Sequence, residues 1–518
     1  MAHRTDGAPS DPQGEVIAFL GAGRSYGRPE LEVERITTHA AVVFLLGERA
    51  YKMKRAVQYS FLDFMTLERR LRALQAELEL NRRTAPMLYR RLLPVTREAD
   101  GRLALAGDGE AVEWLLEMVR FDQAARLDRL AERGELTADI VDDLAAEIAD
   151  FHDRAASCRD HGGYAGMRTV IEGNAEDLAT LPDAVLPAAQ SRRLTVRCRE
   201  ELTRRRRLLE TRRRSGRVRH CHGDLHLGNI VLLDGRPVLF DCLEFDEALA
   251  STDTLYDLAF LLMDLDHQDL GPLAQRLLSG YLEATWDDAG IALLPLFLAC
   301  RAAIRAKVLG LGIAQARDAA EPAVAEARAY LERALAYLDP PPARLVAIGG
   351  LSGTGKTTLA RRLAPALGPS PGAVILRSDV VRKRLHGVAP ADRLPPEAYR
   401  KEASRPVYDA LAARAAALVG GGHAAIVDAA FLDPAERVQI EGVAAEAGVP
   451  FDGLWLQAPE HVLVERVAGR RGDASDATPE VVRAQLAIDP GPISWRPLDV
   501  SGPTEGVADS ARRLLASN

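Results

Sequence analysis

The sequence predicts a multidomain α/β protein, in which antiparallel hairpins and helices give way to a unit of strands alternating with helices. Three observations predict this. Apolar runs at Ala41–Leu46 and Ala50–Lys54 flank a turn at Gly47–Arg49, and a second pair, Ile230–Leu233 and Pro237–Phe240, flanks Asp234-Gly235; both read as hairpins. Pro340, Pro341 and Pro342 then end a long helical region, because consecutive prolines cannot continue a helix. Beyond them short apolar runs alternate with helical stretches, the pattern of a parallel sheet covered by helices.

At 518 residues the chain exceeds one ordinary core, and about three to four domain-sized units are expected. Hydrophobic content of 47% with 27% charged residues is that of a globular protein. The net charge of −8 gives no sign of a nucleic-acid binder. Cys158, Cys198, Cys221, Cys242 and Cys300 show no metal-type pairing, and an odd, scattered set suits a reducing cytoplasm. Residues 1–14 are polar, lack the apolar core of a signal peptide and read as disordered. The longest apolar run, Ile291–Cys300, is about half the length needed to span a bilayer, so no membrane partner is expected.

In the second strand of the first hairpin Lys52 and Lys54 fall on one face. A helix is expected from Thr66 to about Arg83, with Leu67, Leu71, Leu74 and Leu78 at helical spacing and Glu77 and Glu79 on it. Ala111–Arg120 reads as a mostly apolar strand. Helices follow at Ala124–Arg133 and Thr137–Ala155, the latter with Ile140, Leu144, Ile148 and Phe151 as its buried stripe and His152 as a packing histidine. The arginine-dense residues 191–219 read as a solvated helix face, since no aromatic side chains interleave for base stacking.

The stretch His222-Gly-Asp-Leu-His-Leu-Gly-Asn229 places an Asp and an Asn five residues apart, and Asp241 ends the following hairpin. Phosphoryl transfer from ATP needs a group to receive the acceptor's proton and oxygen ligands for Mg²⁺. Asp224 fits the first role; Asn229 and Asp241 fit the second, because the hairpin folds Asp241 back beside Asn229. These residues resemble the aminoglycoside phosphotransferase branch of the protein-kinase-like fold. The resemblance implies a bilobal domain over residues 15–338, its small lobe ending near 118. It implies a strand lysine on the ATP phosphates paired with a helix glutamate: Lys54 with Glu77 is the first assignment, Lys52 and Glu79 the second. It further implies Met118 as a wall for adenine, His222 as a support of the loop and Asp257 as its buttress. Glu244, just after Asp241, is a candidate for substrate or metal. The glycine-rich loop of protein kinases is not visible; Thr37, Thr38 and His39 are polar candidates near the phosphates.

After the linker 339–343, Arg344–Ile348 reads as a strand leading into Gly350-x₄-Gly355-Lys356-Thr357, the phosphate-binding loop. Its glycines let backbone N–H groups of Gly350, Ser352, Gly353, Thr354, Gly355 and Thr358 face phosphates, and the next helix presents its positive end. Lys356 neutralises β/γ-phosphates and Thr357 ligates Mg²⁺. Ala373–Leu376 is a strand leading to Asp379 and Arg382, and Ala424–Asp428 is another that ends in an acid. This half, 344–518, resembles the small-molecule and nucleotide kinases among P-loop proteins, gluconate-kinase-like and zeta-toxin-like. The resemblance implies that Asp379 contacts the acceptor hydroxyl, Arg382 holds an anionic substrate, Asp428 assists the metal and Arg470 and Arg471 close over the transferring phosphoryl.

The combined expectation is a cytoplasmic, bifunctional kinase using ATP and Mg²⁺ on small hydroxyl compounds, a protein-kinase-like domain followed by a P-loop domain. Two alternatives are one catalytic domain regulated by a nucleotide-sensing partner domain, and a kinase acting on a nucleic-acid end or nucleotide sugar.

Overall fold

The computed structural model describes residues 13–516 except 39, 60, 61, 245, 316–320, 390 and 470–474. Two compact units emerge. The first comprises Met1–Leu136, Arg154–Cys158 and Arg219–Thr252; the second comprises Thr137–Asp153, Arg159–Val218 and Asp253–Asn518.

In the first unit a six-stranded sheet runs, in spatial order, Glu34–Thr37, Ala41–Leu46, Arg49–Lys54, Glu110–Val119, Tyr89–Arg97 and Leu103–Leu105. The pair Ala41–Leu46 and Arg49–Lys54 is antiparallel, with Leu46 opposite Arg49 across the turn. Gln13 and Gly14 do not belong to an unstructured start as expected. Gln13 is buried and donates to Lys54 O (2.9 Å) and Glu113 Oε2 (2.6 Å), and Gly14 opens the helix Gly14–Leu20. An unpaired carboxamide at that depth would be costly; its Oε1 also accepts from Ala56 N–H (2.7 Å), and these bonds fix where the chain enters. Val16 and Leu20 of that helix join Phe44, Met53 and Leu115 in one core.

The helix expected at 66–83 spans Leu67–Asn81; the Thr66 side chain accepts from Arg69 N and starts it. Its buried face carries Leu74 and Glu77, whereas Glu79 is exposed. The second hairpin pairs Ile230 with Leu239 and Leu233 with Arg236. Asp234 and Gly235 both take positive φ, 50° and 76°, as a two-residue turn of this hand requires.

In the second unit the helix Ala138–Arg154 buries Val141, Leu144, Ile148 and Phe151. Val141 takes the place expected of Ile140, one step round the helix. His152 is a packing histidine, bonded to Tyr281 Oη (2.9 Å) and Asp257 Oδ2 (3.1 Å). The arginine-dense stretch forms the helices Ala188–Arg204 and Arg206–Arg214, whose arginines pair with Glu172, Glu201 and Glu210. Arg212 differs: it is buried between Asp253 (2.7 Å) and Asp287 (2.6 Å). The apolar run 291–300 lies in a 27-residue helical span, Asp288–Ala314, long and apolar enough to cross a membrane; 78% of its most apolar window is buried inside the fold.

The same unit holds a five-stranded parallel sheet in the order Val374–Arg377, Ala425–Asp428, Leu345–Gly350, Phe451–Gln457 and Arg496–Asp499. Helices Lys356–Leu363 and Thr504–Ala516 cover it through Leu359, Leu363, Ala511 and Leu515, and Lys401–Gly420 packs on two of its strands. The carboxyl ends of three neighbouring strands therefore deliver Arg377, Asp428 and Gly350 to one edge, where ligands of open α/β sheets bind.

Candidate active sites

The first site is built on the two lysines of the strand Arg49–Lys54. Strand alternation sends both to the face where Glu77 is buried. Lys52 Nζ lies 2.7 Å from Glu77 Oε1 and 2.7 Å from Asp241 Oδ1. Lys54 Nζ lies 2.7 Å from Glu77 Oε2 and also contacts Glu244. The structure thus brings both lysines to Glu77 and separates them by their second partner. Lys52 reaches the candidate metal ligand; Lys54 reaches the candidate substrate residue. Burial alone would lower the Lys52 ammonium, but Asp241 and Glu77 hold it well above the usual lysine range. Burial would likewise raise Asp241, yet Lys52 keeps it below the ordinary carboxylate range and ionised. At Glu244 burial wins over the Lys54 charge, and its carboxyl is raised.

Asp241 sits at φ 62°, an uncommon backbone region for a side chain with a Cβ. Three bonds hold the turn there. Asp241 N–H donates to Tyr89 Oη (3.1 Å), Cys242 N–H donates to Asn81 Oδ1 (2.8 Å), and Phe240 N–H donates to Asn229 O (3.0 Å). The last bond sets Asn229 and Asp241 at the foot of one hairpin. Asn229 Nδ2 donates to Asp224 Oδ2 and Asp224 O, each at 3.0 Å, which orients the Asp224 carboxylate. His222 is fully buried with Nε2 on Phe240 O (2.9 Å), the supporting place anticipated for it. His226 Nε2 lies 3.5 Å from Asp224 Oδ2, while its Nδ1 accepts from Gly228 N–H. Beside this group Met118 packs with Ala50, its partner across the sheet, and with Val231 and Val238 in an apolar cluster. Sequence reading named only Met118 of that cluster. The signal for the rest was present: a small residue two positions before Lys52 on the same face. Of the polar candidates before the hairpin, His39 lies outside the described residues, and Thr38 spends its hydroxyl on Ala41 O.

The second site is the loop after the strand Leu345–Gly350. Gly350, Gly353 and Gly355 take φ of 134°, 89° and 84°. At Gly350 a Cβ would lie 2.6 Å from Leu456 O, and at Gly353 2.7 Å from Leu463 O, so neither tolerates a side chain. Lys356, at the start of the following helix, donates to Gly350 O (2.9 Å) and Leu351 O (3.1 Å). The Thr357 hydroxyl donates to Asp428 Oδ2, joining the two candidate metal groups. Ser352 N–H is taken by Gln485 Oε1 (2.8 Å). Against the loop lies a cavity of about 240 Å³ lined by Gly353, Gly355, Thr358, Leu456, Arg466 and Val500.

Asp379 is not a helix cap: Arg377 holds the N-cap position of Ser378–Leu385 without a side-chain cap. Burial and the neighbouring Asp428 charge raise the Asp379 carboxyl, with Ser475 and Lys356 opposing. Arg382 is buried, donates to Ala398 O (2.7 Å) and lies 4.9 Å over the Tyr399 ring, so its charge serves the chain's own backbone and ring. Arg470 and Arg471 lie outside the described residues. Sequence reading passed over Lys383, Tyr399 and Asp476, which gather beside Arg382; no spacing rule joins residues so far apart in the chain.

Residues 58–293 match the family described as "Phosphotransferase enzyme family", and residues 345–488 match the family described as "AAA domain". A protein of Mycobacterium tuberculosis described as uncharacterized is 33% identical over 489 residues, covering 93% of this chain and 95% of its own. This chain belongs to the family of that mycobacterial protein. It joins a protein-kinase-like phosphotransferase domain to a P-loop kinase domain. Among solved structures it is similar to a gluconokinase from Sinorhizobium meliloti (22% identity, 34% of this chain and 93% of that one, TM-score 0.26). It is also similar to a choline/ethanolamine kinase family protein from Mesorhizobium loti (15%, 63% and 99%, TM-score 0.38).

Proposed function

We propose that this family member is a bifunctional phosphotransferase with two separate nucleotide sites, each moving the γ-phosphoryl of ATP to a hydroxyl of a small molecule. The observation that supports it most is the chain of contacts Lys52–Asp241 and Asn229–Asp224, which lines up a phosphate-binding cation, two metal-type oxygens and a carboxylate.

In the first domain Asp224 receives the proton of the acceptor hydroxyl, oriented for this by Asn229. Lys52, held by Glu77, neutralises the phosphates, and Ala50, Met118 and Val231 form the slot for adenine. In the second, Asp379 is the proton acceptor, its raised carboxyl suited to that role, while Lys356 and the glycine backbone hold the phosphates. Mg²⁺ fits Asn229 with Asp241 in one site and Thr357 with Asp428 in the other, hard oxygen donors in both; when bound it supplies neutralisation of phosphate charge. The test is ADP formation by the full chain across sugars, polyols, nucleosides and aminoglycosides. Asp224→Ala and Lys356→Ala should each remove a different part of the acceptor range. If either variant alone silences every acceptor, two independent activities are ruled out.

That latter outcome would favour a second reading, in which one domain catalyses and the other senses nucleotide. Two hydrogen bonds support it. Gln275 donates to Ala373 O (2.8 Å) and Ile375 N–H donates to Ser279 Oγ (3.2 Å), so the helix Gly271–Thr285 grips the strand leading to Asp379. A nucleic-acid acceptor has less support. Arg437 is buried on Phe431 O and Pro490 O, and the arginine-dense helices are ion-paired. The five cysteines are free thiols, which fits the reducing cytoplasm proposed for the chain.

A further inference from the structure

A regular strand sends consecutive side chains to opposite faces. The strand Tyr89–Arg97 breaks that rule at its start, where its register against Glu110–Val119 slips: Tyr89 lies opposite Met118, and Arg91 opposite Glu117. Arg90 is the extra residue of a bulge, a device that re-aims side chains. Arg82, the first residue after the helix Leu67–Asn81, holds the bulge by donating to Tyr89 O (3.3 Å) and to Arg90 O. Arg90 and Arg91 consequently line one cleft of about 610 Å³, together with Arg49, Arg82 and Glu117.

Four arginines thus face one acid. Glu117 is 3% exposed and is bonded to Arg49 and to Arg91 (2.7 Å). Arg90 is exposed and makes no ion pair among the described residues. The cleft therefore carries an excess of positive charge, and guanidinium forks match the oxygens of a phosphate. It is far roomier than a bare phosphate requires and falls in the size range of small-molecule sites. Pro86 and Met87, the latter 54% exposed, also line it and offer apolar surface. The cleft adjoins the first site through Tyr89, which is only 1% exposed and whose hydroxyl accepts from Asp241 N–H (3.1 Å). That bond is one of the three that hold Asp241 at its positive φ. Arg49 and Glu117 each directly precede a residue of the apolar cluster, Ala50 and Met118, which pair with each other across the sheet.

We infer that this cleft is a regulatory site for a small molecule that joins a phosphate to an apolar group, and that filling it tightens the first nucleotide site. The phosphate ties Arg90 to Arg91 and Arg82, and the apolar part covers Met87 and Pro86. Filling the cleft fixes the bulge, and with it the Tyr89 hydroxyl on Asp241 and the strand end that carries Met118. A site already held in its bound conformation binds its ligand more tightly. The coupling half of the inference rests on reading the first domain as a nucleotide-binding kinase; the binding half does not.

Two measurements on the full chain test this. The first titrates phenyl phosphate, with inorganic phosphate and phenol for comparison, while Mg²⁺ and a non-hydrolysable ATP analogue saturate the nucleotide sites. Phenyl phosphate should bind best of the three. Arg90→Glu and Met87→Glu should each weaken it about tenfold or more, the effect of losing or opposing a charge-assisted contact, and Arg90→Lys should weaken it less. Unfolding temperatures check that each variant is folded. Absence of saturable binding at millimolar phenyl phosphate, or equal affinity in all four proteins, would overturn the inference. The second measurement titrates the ATP analogue into Lys356→Ala, which leaves the first site intact, with and without phenyl phosphate. Saturating phenyl phosphate should tighten the analogue about fivefold, and by linkage the analogue should tighten phenyl phosphate equally. Adding Arg90→Glu should remove the gain. Adding Tyr89→Phe should keep phenyl phosphate binding and lose most of the gain. An analogue affinity that phenyl phosphate leaves unchanged or weakens sinks the regulatory role. If Lys356→Ala binds no analogue while the phenyl phosphate results hold, the nucleotide reading of the first domain fails and the regulatory role with it, and the phosphate site stands.

Discussion

Lys52 and Asp241 stand 189 residues apart in the chain and 2.7 Å apart in space. The pair joins the first hairpin of the six-stranded sheet to the foot of the hairpin that carries Asn229. Lys54, two residues on, makes the same contact with Glu77 but turns its other side to Glu244.

The two lysines should therefore fail differently. With the second site silenced by Lys356→Ala, Lys52→Met should lower ADP formation by about 10²–10³-fold, the usual effect of removing one preorganised charge from a transferring phosphoryl. Lys54→Met should act more weakly on kcat and more strongly on the KM of the acceptor. Equal kcat losses would contradict the separation by second partner.

Asp224→Asn keeps the size of the side chain and removes the proton acceptor. First-domain turnover should fall by about 10²–10⁴-fold with the KM for ATP little changed. A rise in the KM for ATP at unchanged kcat would move Asp224 from proton transfer to nucleotide binding.

Ala50 is buried opposite Met118 and packs in a cluster with Val231. Ala50→Leu should fill the slot and raise the first-site KM for ATP at least about tenfold, a loss of about 1.4 kcal/mol. The second site should keep its KM, and thermal unfolding distinguishes a blocked slot from an overpacked core.

Asp288 and Arg414 form a buried pair with two bonds, 2.7 and 2.9 Å, and Arg414 also donates to Leu282 O. Either Asp288→Ala or Arg414→Ala should cost about 3–5 kcal/mol by leaving a buried charge alone, and the double variant less than the sum. Denaturant unfolding measures both. The pair joins the segment after the helix Gly271–Thr285 to the helix Lys401–Gly420, so separating the chain at the proline linker would expose both charges. Full-length variants, rather than separated halves, are the sound way to assign the two activities.

Burial lowers His423 to about 4 while its Nε2 donates to Gly372 O. The folded state therefore resists protonation that the unfolded chain accepts near pH 6.5. The sign follows: this stabilisation is complete above pH 6.5 and is lost as pH falls towards 4, about 3 kcal/mol in all. Between pH 7.5 and pH 5 the unaltered chain should lose more unfolding free energy than His423→Gln does. Equal losses would remove His423 as a source of acid sensitivity.

Much of both sites was legible in the sequence because their chemistry is local. Asp224 and Asn229 share one loop, the turn at Asp234-Gly235 sets the hairpin that returns Asp241, and Gly350 to Thr357 form a nest whose φ angles only glycine tolerates. Those residue types at those intervals admit few other readings, and they fixed the two-part kinase character. Tertiary structure decided what depends on distance through space. Both lysines of one strand face Glu77, so alternation could not choose between them; only the approach of Asp241 gave Lys52 its distinct partner. The resemblance implied a substrate role for Arg382; in the structure it donates to Ala398 O and lies over the Tyr399 ring. The contacts of Asp476 with Lys383, Leu394 N–H and Tyr399 join three separate stretches, so they exist only in the folded chain.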